Sequence, residues 1–282
     1  MLEARNVSIN YGRRPAVTCV SLLPLPGQVI AIIGANGAGK STLLRALNGA
    51  VTPTAGEVLL RDKPIQSYPR RVVARQIAVV AQEADLSFPV TVMQFVLGGR
   101  YAWSSAWGWE SKHDVEIARG VLAETELEGF ESRPLNELSG GERQRAVLGR
   151  ALATEAKILL LDEPTANLDL AHQAAMLHLV RQRCDDHQAA AVVVTHELNL
   201  AAEFADRVLL MQEGRAIAYG APRETLTPEL LIGVFGLQVL VDAHPVSGAP
   251  RITPVLKARR QVDNHEQQAR EGGAKPPLPA QL

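Results

Sequence analysis

The chain has 282 residues, 29 basic against 30 acidic side chains, and 46% hydrophobic residues. That length suits one large or two modest domains with ample material for a core. The near balance of charge argues against a strongly basic nucleic-acid surface, and no apolar run approaches the ~18–20 residues that cross a bilayer. The N-terminus lacks the apolar stretch of a signal peptide, so the expectation is a soluble, cytoplasmic chain whose membrane role comes through a partner. Cys19 and Cys184 fit no metal or redox spacing and read as reduced core or surface thiols.

Residues 4–10 and 16–23 are β-prone runs with a turn at Tyr11-Gly12. After a Pro-Gly pair, residues 29–33 form an apolar run of the kind that makes a strand buried on both faces. Residues 34–41 then fit G-x-x-x-x-G-K-[ST], the phosphate-binding loop. Its members are Gly34, Ala35, Asn36, Gly37, Ala38, Gly39, Lys40, Ser41 and, one residue on, Thr42. Glycines let backbone N–H groups turn inward around phosphate oxygens. Lys40 supplies positive charge for the β- and γ-phosphates, and Ser41 offers a hydroxyl to Mg²⁺. A helix starting near Lys40 aims its positive end at the same anion. Alone, this loop says nucleoside triphosphate and no more.

Residues 56–60 and 77–81 read as further strands, with a short helical stretch over 70–75. From about residue 84 the strand signals vanish until 157 and helical periodicity replaces them. One candidate helix covers 90–97. A second is capped by Ser111 with Asp114 three residues on, and places Val115, Ala118, Val121 and Leu122 on one face. A third starts at Ser139 and buries Val147, Leu148, Ala151 and Leu152. Residues 158–161 are a buried strand ending at Asp162-Glu163-Pro164. A helix over 169–183 places Ala174, Leu177 and Val180 on one side, and a buried strand over 189–195 ends at His196. A helix over 198–205 precedes a hairpin around Glu213-Gly214. Thr227-Pro228 opens a short helix that stops at Gly236, and a last strand pair covers 237–242 and 251–255. The polar, then Gly/Pro-rich segment from 257 reads as a disordered tail.

The run Leu138-Ser139-Gly140-Gly141-Glu142-Arg143-Gln144 is the second strong motif. Ser139 and Glu142 fit a capping box, and the two glycines expose N–H groups at a helix N-terminus. A second anion-binding helix end beside a phosphate loop is what a split nucleotide site needs.

At this point the chain resembles the ATP-binding-cassette (ABC) family over roughly residues 1–222. Residues 138–142 match that family's LSGGE signature, and 158–163 look like its Walker B strand followed by a catalytic glutamate. Asn167-Leu168-Asp169 resembles its D-loop, Gln82 its Q-loop glutamine, His196 its switch histidine, and Tyr11 the aromatic that stacks on adenine. The resemblance implies a P-loop NTPase α/β core, a RecA-like mixed sheet with N-terminal antiparallel strands, and an inserted helical subdomain. It implies a nucleotide-binding domain over 1–256, with the core at about 1–83 and 155–222, the helical subdomain at about 84–154, and a C-terminal extension at about 223–256. It also implies ATP and Mg²⁺ as ligands, with Ser41, Gln82 and Asp162 near the metal and Glu163, His196 and Gln82 in catalysis. Ser139, Gly140, Gly141 and Glu142 would then face the ATP of an opposite subunit, so the chain would work as a homodimer.

Finer features are similar to the ATPases for ferric siderophores, haem and cobalamin: Leu86-Ser87-Phe88-Pro89-Val90-Thr91-Val92, Leu97-Gly98-Gly99-Arg100-Tyr101, Asp169-Leu170-Ala171-His172-Gln173, and the run from His196 to Ala202. This implies an importer on the cytoplasmic face of the membrane, with permease subunits and, indirectly, a substrate-binding protein as partners, and no nucleic acid. The alternatives are an ABC ATPase of another transport system, exporter or importer, or a soluble non-transport ABC ATPase. All three tryptophans, Trp103, Trp107 and Trp109, fall in one window with Phe88, Phe95 and Tyr101. That segment is expected either to dock the permease or to form the core of the helical insertion.

Overall fold

The computed structural model describes residues 1–81, 90–104, 110–166 and 168–255. In chain order the strands and helices begin with β1 (Leu2–Tyr11), β2 (Arg14–Leu22), β3 (Val29–Gly34), α1 (Lys40–Leu47), β4 (Ala55–Leu60), β5 (Lys63–Pro64), α2 (Arg70–Ala74) and β6 (Ile77–Val80). Then come α3 (Val92–Leu97), α4 (Lys112–Glu124), α5 (Gly140–Leu152), β7 (Ile158–Asp162), α6 (Leu170–His187), β8 (Ala190–Val194) and α7 (Leu198–Phe204). The described chain closes with β9 (Arg207–Gln212), β10 (Arg215–Gly220), α8 (Pro222–Thr225), α9 (Pro228–Phe235), β11 (Val239–Ala243) and β12 (Pro250–Pro254).

A six-stranded sheet in the order β10-β9-β3-β8-β7-β6 forms the centre. It is parallel from β9 to β6, with β10 antiparallel at one edge. Every residue of β3, β7 and β8 is buried, as expected for parallel strands covered on both faces. Strand alternation divides the core. Leu159, Leu161, Ala191 and Val193 face the α3–α5 cluster and α6. Ile158, Leu160, Val192 and Val194 face α1 and the second sheet. That sheet is antiparallel, in the order β2-β1-β4-β5.

Between β6 and β7 the described residues form α3, α4 and α5, with an isolated bridge from Thr91 to Pro134. Capping boxes open all three helices, at Thr91, Ser111 and Ser139. In the Ser111 box Asp114 is buried although Ser111 is exposed. Burial by itself would raise the Asp114 carboxyl, but hydrogen bonds from Arg100 and Ser111 outweigh it and lower the pKa to about 2. Arg100 also reaches the Ala153 carbonyl and Glu155, so this one guanidinium ties the end of α3 to α4 and α5.

One sequence expectation on α6 is corrected. Leu177 and Val180 face inward, but Ala174 is exposed, and the buried stripe runs Met176, Leu177, Val180, Cys184. The larger side chains take the inner face because each buries more apolar area than a methyl group. Cys184 is thus a core thiol, pushed up to about 12 chiefly by burial, while Cys19 is exposed. Among the described residues no helix is long and apolar enough to cross a membrane. The tail expected from residue 257 lies outside the described residues.

Candidate active site

The strand order brings β3, β8 and β7 side by side, so the segments leaving their C-terminal ends meet at one edge of the sheet. Such carboxyl-end crevices are where open parallel sheets bind ligands. The phosphate loop follows β3, His196 follows β8, and Asp162-Glu163 ends β7.

Two glycines let the loop pass close to its neighbours. A Cβ on Gly34 would lie 2.2 Å from the Met211 carbonyl oxygen. One on Gly39, which has φ +94°, would lie 2.2 Å from the Ala16 carbonyl oxygen. Asn36 and Gly37 are exposed at the loop tip, Ala38 is buried, and Ala35, Ser41 and Thr42 are half-buried. The Lys40 ammonium folds back into the loop and donates to the carbonyls of Gly34 (2.9 Å) and Ala35 (3.1 Å). Burial lowers its pKa, against the opposing pull of the Glu163 and Asp162 carboxylates. Helix α1 has no side-chain cap at Gly39. Its first-turn N–H groups are therefore left for an anion.

Asp162 is buried, and its Oδ1 accepts the Ser41 hydroxyl at 3.0 Å. Burial raises its pKa, with the Ser41 hydrogen bond working the other way. A hydroxyl and a desolvated carboxylate touching beside a phosphate loop are hard oxygen donors of the kind Mg²⁺ takes. Glu163 has φ +49°, a left-handed conformation uncommon for a non-glycine residue. Its N–H donates to the Val194 carbonyl at 3.0 Å, which anchors it to β8. Its Oε1 stands 2.5 Å from His196 Nε2. Strand adjacency thus joins two side chains 33 residues apart.

The signature residues lie at the start of α5. Ser139 Oγ accepts the Glu142 N–H at 3.3 Å, and Glu142 Oε2 accepts the Ser139 N–H at 2.7 Å. That backbone hydrogen bond is the main cause of the lowered Glu142 pKa. Ser139 and Gly140 are exposed, and a Cβ on Gly140 would meet nothing within 4 Å. Tyr11 is exposed at the end of β1. Gln82 and Asn167 lie outside the described residues. Sequence reasoning gave Gln144 no role of its own, yet its side-chain amide donates to the Pro164 carbonyl at 2.7 Å. The signal was its place in the signature helix, five residues past the cap.

A cleft of about 1020 Å³ opens between β6 with α2 and the helices α3 and α5, and Val79, Phe95, Tyr101 and Arg150 are among its walls. Tyr101 is 78% exposed. Trp103 is held differently. Its indole N–H donates to the Thr154 carbonyl at 2.9 Å, and the Arg75 and Arg100 guanidinium carbons lie 4.9 and 5.3 Å from its ring centre. The window therefore divides, with Tyr101 facing out and Trp103 packed against arginines. Phe88, Trp107 and Trp109 lie outside the described residues.

Comparison with known proteins identifies the family. The ABC transporter family model matches residues 18–166. The hemin import ATP-binding protein HmuV of Thermobifida fusca is 40% identical over 255 residues, covering 90% of this chain and 89% of the relative. The cobalamin import ATP-binding protein BtuD of Halobacterium salinarum is 42% identical over 229 residues, and the match covers 81% of this chain but 57% of that longer relative. Among solved structures, one described as an inward-facing conformation of a metal-chelate type ABC transporter aligns with TM-score 0.79 and 29% identity, covering 91% of this chain and 98% of that one. A phosphate loop, a buried aspartate on the neighbouring hydroxyl, a glutamate–histidine pair and a capped signature helix on one α/β core accompany these matches: the chain belongs to the ABC transporter family, as an ATP-binding cassette.

Proposed function

We propose that the chain is the ATP-hydrolysing subunit of an ABC importer, coupling ATP binding and hydrolysis to uptake of a metal chelate through a separate membrane permease. Ferric siderophore or haem is the first assignment and cobalamin the second, supported by the hemin and cobalamin import relatives and the metal-chelate type neighbour. The observation that carries the chemistry is the pairing of Ser41 with Asp162 and of Glu163 with His196 at the end of the phosphate-loop sheet.

In this reading the loop N–H groups, Lys40 and the α1 dipole bind the β- and γ-phosphates. Tyr11 stacks on adenine. Ser41 and Asp162, with Gln82, would hold Mg²⁺, which when bound neutralises charge on the phosphates. Glu163 accepts a proton from the attacking water. His196 holds the Glu163 carboxylate and the water in line. Phosphoryl transfer asks little covalent chemistry of a protein, so positioning and charge stabilisation carry most of the rate. Ser139, Gly140, Gly141 and Glu142 close over the ATP held by a second copy, so two chains share two sites.

Residues 1–256 would act as one nucleotide-binding domain, with its core at about 1–83 and 155–222, helices at about 84–154 and an extension at about 223–256. The cassette would sit on the cytoplasmic face of the membrane. Tyr101 in the cleft would meet the permease, which binds its substrate-binding protein in turn.

Glu163→Gln tests the chemistry. Turnover should fall by roughly 10²–10⁴-fold while ATP still binds. Near-normal hydrolysis would overturn the assignment. Tyr101→Ala tests the docking. The isolated cassette should keep its thermal stability and ATP binding yet lose assembly or transport with the permease.

A further inference from the structure

We propose that Gln144 is a positioning residue for hydrolysis: from the signature helix it holds the Pro164 carbonyl, in the peptide one residue beyond Glu163, and so ties the aim of that carboxylate to the position of the helix end. The inference rests on the reading of Glu163 as general base.

Gln144 lies on α5, five residues after the Ser139 cap, or roughly 7–8 Å along the helix axis. Its Nε2 donates to the Pro164 carbonyl at 2.7 Å. Pro164 is buried, and a proline has no N–H of its own, so the carbonyl is the backbone handle available at that residue. The turn around it is held at several points. The Glu163 N–H is bound by Val194 of β8, and the Glu163 carbonyl accepts the Ala166 N–H at 3.1 Å. Gln173 of α6 reaches the Thr165 carbonyl at 3.4 Å. The turn that follows β7 is thus gripped by β8 at the Glu163 N–H and by Gln144 at the Pro164 carbonyl.

This arrangement joins the two halves of the machinery within one chain. The exposed end of α5, at Ser139 and Gly140, is the part that a second chain's nucleotide would engage. A helix moves as a rigid rod over this distance, so a shift at its end is delivered to the Pro164 peptide through Gln144. Glu163 stands one residue before that peptide, and its own carbonyl is bonded within the same turn to the Ala166 N–H, so a shift there is passed back to the backbone that carries its carboxylate. Misplacing a reacting group by about 1 Å can cost on the order of 10²-fold in rate. The competing role is simpler: Gln144 satisfies a buried carbonyl and supports the fold alone.

Steady-state ATPase measurements on the full chain separate the two. Gln144→Met keeps the volume and removes the donor. Gln144→Asn keeps the amide but shortens its reach, and replaces the methionine variant if that one fails to fold. Gln144→Lys returns a donor that spans the gap. We expect the donor-deficient variant to lower kcat by about 10–100-fold, with less than about a twofold change in ATP KM and an unchanged Tm. Gln144→Lys should recover most of the lost kcat. Unaltered kcat in the donor-deficient variant overturns the proposal. So does a loss of kcat that tracks a fall in Tm and is not recovered by lysine, which assigns Gln144 to the fold alone. Glu163→Gln is measured alongside. If it turns over normally, the general-base reading fails and this inference falls with it; if it is inactive while the donor-deficient variant keeps its kcat, only the Gln144 inference is lost.

Discussion

In the proposed function helices α1 and α5 both present an N-terminus to an anion, but they are finished in opposite ways. Helix α1 starts at Gly39 without a side-chain cap, and its Lys40 is buried on the carbonyls of its own loop. Helix α5 starts with a complete capping box, and Ser139 and Gly140 are open to solvent. The first end leaves its N–H groups for a ligand and depends on the surrounding sheets for its shape. The second satisfies its own first-turn N–H groups through the box and leaves its tip exposed. A nucleotide site shared between chains needs both kinds, one that grips and one that closes.

Substitution at the gripping end should have the largest effect. Gly39→Ala forces a side chain into left-handed backbone and against the Ala16 carbonyl, so ATP binding should disappear by equilibrium titration. Lys40→Ala should also abolish binding, but with the fold intact by circular dichroism. Equal, mild effects of both would break the contrast between the two ends.

The shared site gives the next largest effect. Lys40→Ala chains and Ser139→Arg chains each carry a lesion in both sites as homodimers. Mixed together, they should form some dimers with one intact site and regain ATP-dependent association by sedimentation. Mixed dimers shown to be present without that gain would defeat the two-end model.

The box on α4, with its buried Asp114, sharpens the comparison, because it caps a helix away from the phosphate loop. The folded-state pKa of Asp114 is lowered to about 2, below the unfolded value of about 3.9. Its contribution is therefore present above about pH 4 and lost as pH falls towards 2, and it amounts to about 2 kcal/mol. Chemical denaturation of Asp114→Asn and the parent across that range should show the gap between them narrow as the pH drops. A constant gap would mean that the charge does not matter.

The smallest effect is expected at the closing end. Ser139→Ala should cost about 1 kcal/mol of stability, read as a small shift in denaturation midpoint, with a larger loss in ATP-dependent association. A large stability loss would mean that α5 is no more self-sufficient than α1.

Much of this molecule could be read from local sequence. The phosphate loop, the capping boxes at Ser111 and Ser139, the hairpin at Glu213-Gly214 and the helix stop at Gly236 all appear where expected, while the box at Thr91 was not anticipated. Each depends on a few neighbouring residues: a glycine that tolerates left-handed backbone, a serine or threonine that accepts an N–H, an apolar run that suits a covered strand. Sequence also placed Asp162, Glu163 and His196 at strand ends. It could not put them together by local chemistry, because that depends on which strands are neighbours. The order β3-β8-β7 sets Ser41 on Asp162 and His196 on Glu163. The same holds for the bond from Gln144 to Pro164 and the contact of Trp103 with two arginines. Ala174 shows the limit from the other side: helical spacing allowed it inward, but packing against the sheet chose Met176 and Cys184. Local sequence determined the parts and their ends, because turns, caps and strand faces are short-range. Only the tertiary structure decided which ends face each other, because that choice is made by burying whole faces of sheet and helix at once.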